Sequence, residues 1–290
     1  MTRPVPFTVV ITGASTGIGL ATARVLIERG ATVFGSVRQL ADGERVRREL
    51  GERFTPLVFD VTDAAAIRAA VPVVAEALGG ATLSGLVNNA GIAVGGPLLH
   101  QPLDEFRRHL EVNVIGALAT VQAFAPLLGA DRTRTGTPGR IVNISSVAGR
   151  LSAPFLGAYA ASKRALEGMS DSLRRELLVF GIDVIVINPG SVATPIWDKA
   201  EEAGASRYAD TVYGPMLARF LSAALRSGRA GLPPEAVGEV VWRALTVHRP
   251  KPRYAVVRGR LLNWTIPLAL PERLIDWLIA RRLGVRPRGR

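Results

Sequence analysis

A glycine-rich turn between a short apolar strand and a helix is the feature of this sequence that most constrains its fold. Residues 8–11 are apolar or β-branched, as in a buried strand. They lead into Thr-Gly-Ala-Ser-Thr-Gly-Ile-Gly at residues 12–19, and apolar residues at helical spacing continue to Gly30. Backbone N–H groups at the start of such a helix bind phosphate, and glycines let the chain approach a pyrophosphate closely. The order strand, glycine turn, helix therefore predicts dinucleotide binding.

The rest of the chain continues this alternation of strands and helices. Further strands are predicted at residues 31–37, 54–59, 83–88, 140–145, 183–188 and 254–257, and helices at 63–78, 103–128, 158–180 and 235–245. Such alternation is typical of a parallel sheet with helices on both faces. The 290 residues thus predict a single α/β domain, a Rossmann-like doubly wound sheet of seven parallel strands at residues 1–257, followed by a basic extension at 258–290.

Three residues in the second half of the chain suggest acid–base chemistry. Tyr159 and Lys163 are four residues apart in a predicted helix, so that they share one face, and Ser146 precedes the tyrosine by thirteen residues. An ammonium group beside a phenol favours the ionised phenol and lowers its pKa, which makes tyrosine a usable acid or base near neutral pH. The pair alone is common enough to belong to an ordinary surface helix, so its meaning depends on the other motifs.

Six motifs in order give the chain its resemblance to the compact branch of the short-chain dehydrogenase/reductase family. These are Thr-Gly-x-x-x-Gly-x-Gly at residues 12–19, Asn-Asn-Ala-Gly at 88–91, Asn113 in Asn-Val-Ile-Gly-Ala, Ser-Ser at 145–146, Tyr-x-x-x-Lys at 159–163 and Pro-Gly-Ser-Val-x-Thr at 189–194. The resemblance covers about residues 7–257, and the extension is loosely similar to that of steroid- and retinol-type members. It implies hydride transfer between a nicotinamide cofactor and a carbonyl or carbinol carbon. It also implies a homo-oligomer that pairs through the helices at 103–128 and 158–180.

The same resemblance implies a role for each site residue. Tyr159 exchanges a proton with the substrate oxygen, and Ser146 donates a hydrogen bond to that oxygen. Lys163 holds the nicotinamide ribose in addition to lowering the tyrosine pKa, and Asn113 positions a water for proton relay. Ser145 is the rival for the serine role, but the thirteen-residue offset favours Ser146. The cofactor-binding residues implied are Gly13, Ser15, Thr16, Gly17, Ile18, Gly19, Arg38, Asp60, Val61, Asn89, Ala90, Gly91, Tyr159, Lys163, Pro189, Gly190, Val192 and Thr194.

The end of the second strand bears on the choice of cofactor. An acidic residue there binds a free ribose 2′-hydroxyl, whereas an arginine accommodates a 2′-phosphate. The predicted strand runs into Arg38, and no acidic residue follows before Asp42. The sequence therefore favours NADP(H) over NAD(H), with a solvated Arg38 and bound NAD as the alternative.

Positive charge is concentrated at the C-terminal end of the chain. The net charge is +12, and residues 251–290 contain ten basic and two acidic side chains. Residues 261–270 are mostly apolar but too few to span a bilayer, and an amphipathic helix is predicted from Pro271, followed by arginines. This segment either packs over the substrate cleft or a neighbouring subunit, or attaches the protein to an anionic membrane surface. We expect a cytoplasmic protein, with peripheral membrane contact as the open alternative and no secretory signal, because the first apolar run belongs to the fold.

Three classes of function are compatible with these observations. Apolar residues in the variable substrate loop, at about 190–232, favour a hydrophobic steroid-, retinoid- or lipid-like alcohol or ketone as the substrate. The second class is reduction of a 3-oxoacyl thioester in lipid synthesis, and the third is a non-catalytic nucleotide-binding regulator. The complete Asn-Ser-Tyr-Lys set favours catalysis, and no nucleic-acid motif accompanies the basic charge, so nucleic acid is not an expected partner. A metal site is not expected, because the sequence lacks cysteine and its three histidines are far apart.

Overall fold

The computed structural model describes residues 7–198 and 206–284, in which strands and helices alternate as the sequence predicts. The strands are β1 (Thr8–Ile11), β2 (Thr32–Val37), β3 (Phe54–Val58), β4 (Gly85–Asn88), β5 (Arg140–Ile144), β6 (Asp183–Pro189) and β7 (Arg253–Val256). The helices are α1 (Gly17–Glu28), α2 (Leu40–Leu50), α3 (Ala64–Leu78), α4 (Leu103–Leu110), α5 (Gly116–Phe124), α6 (Gly157–Glu176), α7 (Gly214–Arg229), α8 (Glu235–Thr246), α9 (Ile266–Ala269) and α10 (Glu272–Leu283). Wider π-helical turns at Glu111–Ile115, Pro126–Ala130 and Leu261–Thr265, and 3₁₀ turns at Val147–Gly149, Leu177–Phe180 and Ser206–Tyr208, extend or join them.

The seven strands of the described residues form one parallel sheet in the order β3-β2-β1-β4-β5-β6-β7. The strand order reverses between β1 and β4, where Val9 pairs with Val33 on one side and with Gly85 on the other. At such a reversal the connections leave to opposite faces of the sheet, and a crevice opens beyond the carboxyl ends of the strands. The predicted fold class, a doubly wound Rossmann-like sheet with helices on both faces, is confirmed.

Two apolar layers cover the faces of the sheet and fix its central strand. Because successive strand residues point to opposite faces, Val9 and Ile11 pack in the layer that contains α1 and α8, whereas Val10 packs with α3 and α5. All three side chains are completely buried. Burial of one such side chain stabilises the fold by about 1.5–3 kcal/mol. The strand that leads into the glycine turn is therefore held firmly on both sides.

The helix predicted at residues 103–128 is interrupted by a π-helical turn. α4 passes into this wider turn at Glu111–Ile115, and α5 begins at Gly116. A Cβ on Gly116 would lie 2.7 Å from the carbonyl oxygen of Val61, so only glycine fits where the helix crosses the end of β3. π-helical turns occur frequently at functional sites. This one contains the predicted catalytic residue Asn113, which is buried.

The C-terminal extension is helical but leaves apolar surface exposed. The helix predicted from Pro271 is α10, which lies against α7 where Arg219 Nη1 donates a hydrogen bond to the carbonyl oxygen of Leu283 at 3.2 Å. Leu262 is 69% exposed and Trp277 is 54% exposed. Within the described part of the chain, these apolar side chains of the extension therefore stay exposed.

Parts of two predicted segments lie outside the described residues. These are residues 199–205 of the substrate loop and residues 285–290, which contain the last three arginines of the predicted basic tail. Within residues 7–198 and 206–284, we find no helix long and apolar enough to cross a bilayer.

Candidate active site

The glycine turn after β1 has the backbone that a closely bound pyrophosphate requires. Gly13 and Gly17 have φ angles of +66° and +57°, which residues with a Cβ rarely adopt. A Cβ on Gly19 would lie 2.1 Å from the carbonyl oxygen of Gly13, so only glycine lets α1 begin this close to the turn. The turn therefore fits the dinucleotide that the sequence predicts.

The start of α1 faces the loop that follows β6. Its N-cap residue, Thr16, makes no side-chain hydrogen bond to the helix, so the positive end of α1 is open to an anion. Ser15 and Ile18 flank this position. A Cβ on Gly17 would lie 3.4 Å from the side chain of Thr194. The segments predicted to bind the diphosphate and the nicotinamide thus lie next to each other.

Asn89 and Ala90 tie the end of β4 to the glycine turn. The Asn89 side-chain amide donates hydrogen bonds to the carbonyl oxygens of Thr12 and Gly13, each at 3.0 Å. The Thr12 hydroxyl accepts from the backbone N–H groups of Asn89 at 2.9 Å and Ala90 at 3.0 Å. A Cβ on Gly13 would lie 3.0 Å from the Cα atom of Ala90. These residues hold the two central strands together at the mouth of the crevice, in addition to their predicted contact with the cofactor.

The loop after β6 is fixed by its neighbours. Pro189 ends the strand, and the N–H of Gly190 donates to the carbonyl oxygen of Val256 at 3.0 Å. Val192 is buried and forms an isolated parallel bridge with Leu232. The predicted cofactor-binding residues of this loop therefore lie on a firm support between β7 and the start of α8.

The residues predicted to meet the adenosine lie at the ends of β2 and β3. Arg38 is exposed directly after β2, and Val61 is buried after β3. Burial alone would raise the pKa of the Asp60 carboxyl, but hydrogen bonds from Thr62 and the charges of Arg38 and Arg108 bring it below its usual value. Asp60 is therefore an anion at neutral pH, with Arg38 within electrostatic reach.

Arg45 is a candidate cofactor contact that the sequence analysis missed. It lies on α2, and its Nη2 atom donates a hydrogen bond to the carbonyl oxygen of Ser15 at 2.8 Å. This contact places a second guanidinium group beside the glycine turn, on the same side of the crevice as Arg38. The contact depends on how α2 packs, and the helix was not predicted from the sequence.

The predicted serine and tyrosine meet at the carboxyl end of β5. Ser146 follows this strand, and its hydroxyl oxygen accepts a hydrogen bond from the N–H of Ala148 at 3.1 Å. Tyr159 lies half-buried in the first turn of α6, and its hydroxyl is hydrogen-bonded to Ser146. Burial raises the pKa of the Tyr159 phenol, and the Ser146 hydrogen bond opposes that shift. The phenol is therefore protonated at neutral pH, which is the form that can donate a proton to a carbonyl oxygen.

The ammonium group of Lys163 is buried one helical turn beyond Tyr159. Its Nζ atom donates to the carbonyl oxygen of Ile144 at 2.8 Å and lies 5.8 Å from the centroid of the Tyr159 ring. Burial lowers the pKa of Lys163 to about 8, and the charge of Glu167 opposes this shift. Burial is the largest cause acting on the pKa of Tyr159 in this structure, and the lowering of that pKa by Lys163 stays a prediction.

Asn113 is held in place by hydrogen bonds on both sides of its amide. Its Oδ1 atom accepts from the N–H of Ile92 at 2.8 Å, and its Nδ2 atom donates to the carbonyl oxygen of Ile92 at 3.0 Å and to Ser162 Oγ at 2.9 Å. A Cβ on Gly91 would lie 3.1 Å from Asn113 Oδ1 and 3.6 Å from Lys163 Nζ. Asn113, Gly91 and Lys163 are therefore neighbours, while the relay through a water stays a prediction.

The side chain of Ser145 lies beside Gly149. This side chain is buried, and its Oγ atom is 2.8 Å from the position that a Cβ on Gly149 would occupy. Among the described residues this hydroxyl has no hydrogen-bond partner. The hydrogen bond of Tyr159 to Ser146 favours Ser146 for the catalytic role, in agreement with the spacing.

An aromatic cluster joins the loop before α6 to the predicted substrate loop. Phe155, four residues before Tyr159, packs edge-on against Tyr213 and Phe220, with ring centroids 6.2 Å and 5.7 Å away. Tyr213 also contacts His100 at 5.7 Å. Phe155 has a φ of +66°, an uncommon and strained value for a bulky residue, and such strain is found mostly at functional sites. We call Phe155, Tyr213 and Phe220 the aromatic wall.

The histidines show no arrangement typical of a metal site. His109 is buried, its Nδ1 atom is hydrogen-bonded to the carbonyl oxygen of Glu105 at 2.7 Å, and its Nε2 atom accepts from the N–H of Val94 at 2.9 Å. Burial lowers the pKa of His109, so the ring is neutral and supports the loop after β4. Across the ranges that the structure describes, no group of three or more His, Cys, Asp or Glu side chains could hold a metal ion.

The chain is similar in sequence to a known protein family and to proteins of known activity. A family model described as short chain dehydrogenase matches residues 7–204. An NADPH-dependent 3-dehydrocapnine reductase of Ornithobacterium rhinotracheale is 39% identical over 274 residues, which cover 94% of this chain and 96% of that protein. Retinol dehydrogenase 5 of Homo sapiens is 34% identical over 284 residues, which cover 92% of this chain and 86% of that protein.

Solved structures show the same architecture. A short-chain dehydrogenase/reductase of Burkholderia phymatum in complex with NAD aligns with a TM-score of 0.76 at 26% identity, and the alignment covers 100% of this chain and 99% of that one. The fold, the ordered motifs and these similarities agree with one another. The chain belongs to the short-chain dehydrogenase/reductase family of oxidoreductases.

Proposed function

We propose that the protein interconverts a hydrophobic alcohol and its ketone or aldehyde with NADP(H), using Tyr159 as the general acid and base. The observation that carries this proposal is the meeting of Ser146, Tyr159 and Lys163 at the end of β5, where the buried Lys163 Nζ atom donates to the carbonyl oxygen of Ile144 at 2.8 Å and lies 5.8 Å from the centroid of the Tyr159 ring. This group lies at the carboxyl edge of the sheet, as does the glycine turn that fits a dinucleotide. An acid, a hydrogen-bond donor and a cation are the groups that stabilise a carbonyl oxygen as it gains negative charge.

Each residue of the site has a separate role in carbonyl reduction. Bound NADPH would supply the hydride that the carbonyl carbon accepts. Tyr159 donates its phenolic proton to the carbonyl oxygen, and Ser146 donates a hydrogen bond to the same oxygen. The charge of Lys163 stabilises the phenolate that remains until solvent returns a proton. Alcohol oxidation uses the same groups in reverse.

The preference for NADP(H) is supported by two guanidinium groups at the crevice. Arg38 follows β2 at the position where a 2′-phosphate would lie, and Arg45 reaches the glycine turn from α2. The relative from Ornithobacterium rhinotracheale is described as NADPH-dependent, whereas the Burkholderia phymatum structure contains NAD. The arginines of this chain favour the phosphorylated cofactor.

Substituting Arg38→Asp is expected to reduce the ratio of kcat/KM for NADPH to that for NADH by at least about tenfold. The change removes a charge-assisted contact with the 2′-phosphate and adds repulsion. The measurement is steady-state kinetics with both cofactors at one fixed ketone concentration. Arg48→Asp, an exposed charge reversal farther along α2, is the control and should leave the ratio unchanged. An unchanged ratio in the Arg38 variant would show that Arg38 does not contact the phosphate.

A hydrophobic substrate is supported by the aromatic wall and by the relatives. The wall places three aromatic rings between the loop before Tyr159 and α7. The relatives include a retinol dehydrogenase and a 3-dehydrocapnine reductase. NADPH oxidation should be screened with ketones and aldehydes of increasing apolar size, including steroid, retinoid and long-chain compounds. We expect kcat/KM to rise with apolar size, and a preference for short charged ketones would contradict the proposal.

The same screen separates the two other classes of function. A 3-oxoacyl thioester reductase would reduce acetoacetyl thioesters faster than free apolar ketones. A non-catalytic regulator would bind NADPH without oxidising it in the presence of any carbonyl compound. The intact set of Asn113, Ser146, Tyr159 and Lys163 supports the enzyme over the regulator.

We also propose a homo-oligomer, as the resemblance implies. Apolar side chains are exposed near the two long helices of the predicted interface, at Leu103, Ile115, Leu178 and Val179. Light scattering of the purified full chain measures the assembly directly.

For the C-terminal extension, we propose contact with an anionic membrane surface. Its exposed apolar side chains, Leu261, Leu262, Trp277 and Leu278 among them, are accompanied in residues 258–284 by five arginines and two acidic residues. Apolar groups buried at the headgroup boundary and arginines near anionic lipid reinforce each other. If two copies of the protein paired through this face, their arginines would lie close together and repel each other. A second copy of the chain is therefore disfavoured as the partner of this surface.

Replacing Arg273, Arg281 and Arg282 together by Gln is expected to weaken binding to anionic vesicles by about 100-fold, since each arginine near the surface contributes about 1 kcal/mol. Co-sedimentation with phosphatidylserine-rich and phosphatidylcholine vesicles measures this, and wild-type binding should weaken at high salt. The control replaces three exposed arginines elsewhere, Arg48, Arg68 and Arg249, by Gln. Wild-type protein that stays in the supernatant with anionic vesicles at low salt would exclude the membrane contact. The extension would then pack over the substrate cleft or against a neighbouring subunit.

A further inference from the structure

A buried carboxylate lies directly behind the catalytic residues. Glu167 follows Lys163 by one turn of α6 and is only 4% exposed. Burying a carboxylate is costly unless its charge is paired and its oxygens accept hydrogen bonds. The partners of Glu167 therefore show what keeps it in this position.

One oxygen of Glu167 is paired with an arginine from the far edge of the sheet. Arg253 on β7 donates from Nε to Glu167 Oε2 at 2.7 Å, and from Nη2 to Asp171 Oδ2 at 2.8 Å. One guanidinium thus binds two carboxylates on successive turns of α6. This pairing compensates the buried charge and fixes the side chain of Glu167.

The other oxygen of Glu167 is connected to the catalytic serine through an asparagine. Asn188 on β6 is completely buried, and its side-chain amide donates to Glu167 Oε1 at 2.5 Å and to the carbonyl oxygen of Ser146 at 3.1 Å. The Ser146 hydroxyl in turn is hydrogen-bonded to Tyr159. Hydrogen bonds therefore connect Arg253 through Glu167 and Asn188 to the backbone of the residue whose hydroxyl contacts Tyr159.

We propose that Glu167 is a positioning residue of this active site, which acts on Ser146 through Asn188 and on Lys163 through its charge. The proposal rests on the reductase function proposed above. The Asn188 amide has two N–H groups, and Glu167 accepts one while the Ser146 carbonyl accepts the other. Glu167 therefore orients the amide that fixes the backbone of Ser146.

The charge of Glu167 acts on Lys163 from the same helix. The lysine also faces the carbonyl oxygen of Ile144 on β5, the ring of Tyr159 on α6 and the amide of Asn113 beyond Gly91. Glu167 is the acidic group that raises the pKa of Lys163 against the effect of burial, and Arg253 lies beyond it. Removing this negative charge lowers the pKa of Lys163, so the ammonium is lost at a lower pH.

Glu167→Gln tests the proposal, because glutamine carries no charge and has a single acceptor oxygen, so it cannot accept from both Asn188 and Arg253 as the carboxylate does. We expect kcat to fall about 10-fold to 100-fold, as for other small misplacements of reacting groups, while the Kd of NADPH measured by fluorescence is unchanged. The decline of kcat on the alkaline side should begin at lower pH than in wild type. Asp171→Asn is the matched control, since Asp171 shares Arg253 but makes no described contact with Asn188 or Lys163, and it should change neither quantity.

A second variant separates the two actions of Glu167. Asn188→Ser breaks the connection to Ser146 but leaves the charge next to Lys163, so kcat should fall without a shift of the alkaline limb. This variant also keeps the proposal testable if Glu167→Gln does not fold. Turnover by the wild-type protein tests whether the protein is a reductase. The ratio of the kcat of the variant to that of the wild type tests whether Glu167 positions the catalytic residues. Wild-type kcat and an unmoved pH profile in Glu167→Gln, or equal losses in Asp171→Asn, would overturn the proposal and leave an ion pair that only stabilises the fold.

Discussion

Replacing Tyr159 by Phe is expected to lower kcat/KM for ketone reduction by about 10³-fold, with NADPH affinity unchanged. The variant keeps the ring against α6 but removes the hydroxyl that is hydrogen-bonded to Ser146. General acid catalysis by a positioned group contributes about 10²-fold to 10⁴-fold. Because burial raises the pKa of the phenol, the lost group is the proton donor itself rather than a phenolate.

NADPH consumption and NADPH fluorescence titration together measure this effect. Tyr254→Phe is the matched control, because Tyr254 lies on β7 and its hydroxyl accepts a hydrogen bond from the N–H of Lys251 just before that strand. The control should retain wild-type kcat/KM. Near-normal turnover in Tyr159→Phe would exclude Tyr159 as the acid, and loss of NADPH binding would indicate a structural role instead.

The second large effect is expected for Ser146→Ala, with a loss of about 10²-fold to 10³-fold in kcat, the range found when one donor to a developing oxyanion is removed. The variant leaves Tyr159 without its described partner. KM should change much less than kcat, because this interaction strengthens as negative charge develops on the substrate oxygen.

Ser145→Ala is the natural control for this serine. Its buried hydroxyl has no hydrogen-bond partner among the described residues, so removing it should cost little activity and relieve an unsatisfied polar group. A larger loss in Ser145→Ala than in Ser146→Ala would move the catalytic role to Ser145 and contradict both the spacing and the geometry.

The parts of the fold that could be predicted from the sequence are those with strong local patterns. The buried strands are short runs of β-branched residues, and the glycine turn needs φ angles that only glycine adopts easily, so both leave a clear signature. The π-helical turn at Glu111–Ile115 leaves none, because its sequence fits an ordinary helix. The π-helical turn is accompanied by a tertiary contact, in which Gly116 packs closely against Val61.

The residues behind the site were not predictable for a related reason. Glu167 and Arg253 are 86 positions apart, and only the pairing of β6 with β7 brings the guanidinium over α6. Burial likewise decides the pKa of Tyr159, whereas the i, i+4 spacing indicates only the nearby lysine. The exposed apolar face of the extension depends on how α10 lies against α7.

The most direct test of hydride transfer that depends on Tyr159 is the transfer of deuterium to an apolar ketone from NADPH that carries two deuterium atoms at the nicotinamide C4. We expect the alcohol formed by wild-type protein to carry one deuterium at the carbinol carbon, and we expect Tyr159→Phe to bind NADPH equally well but to form labelled alcohol about 10³-fold more slowly. Equal rates of labelling by the two proteins, or bound NADPH that transfers no deuterium to any carbonyl compound of the screen, would contradict this mechanism.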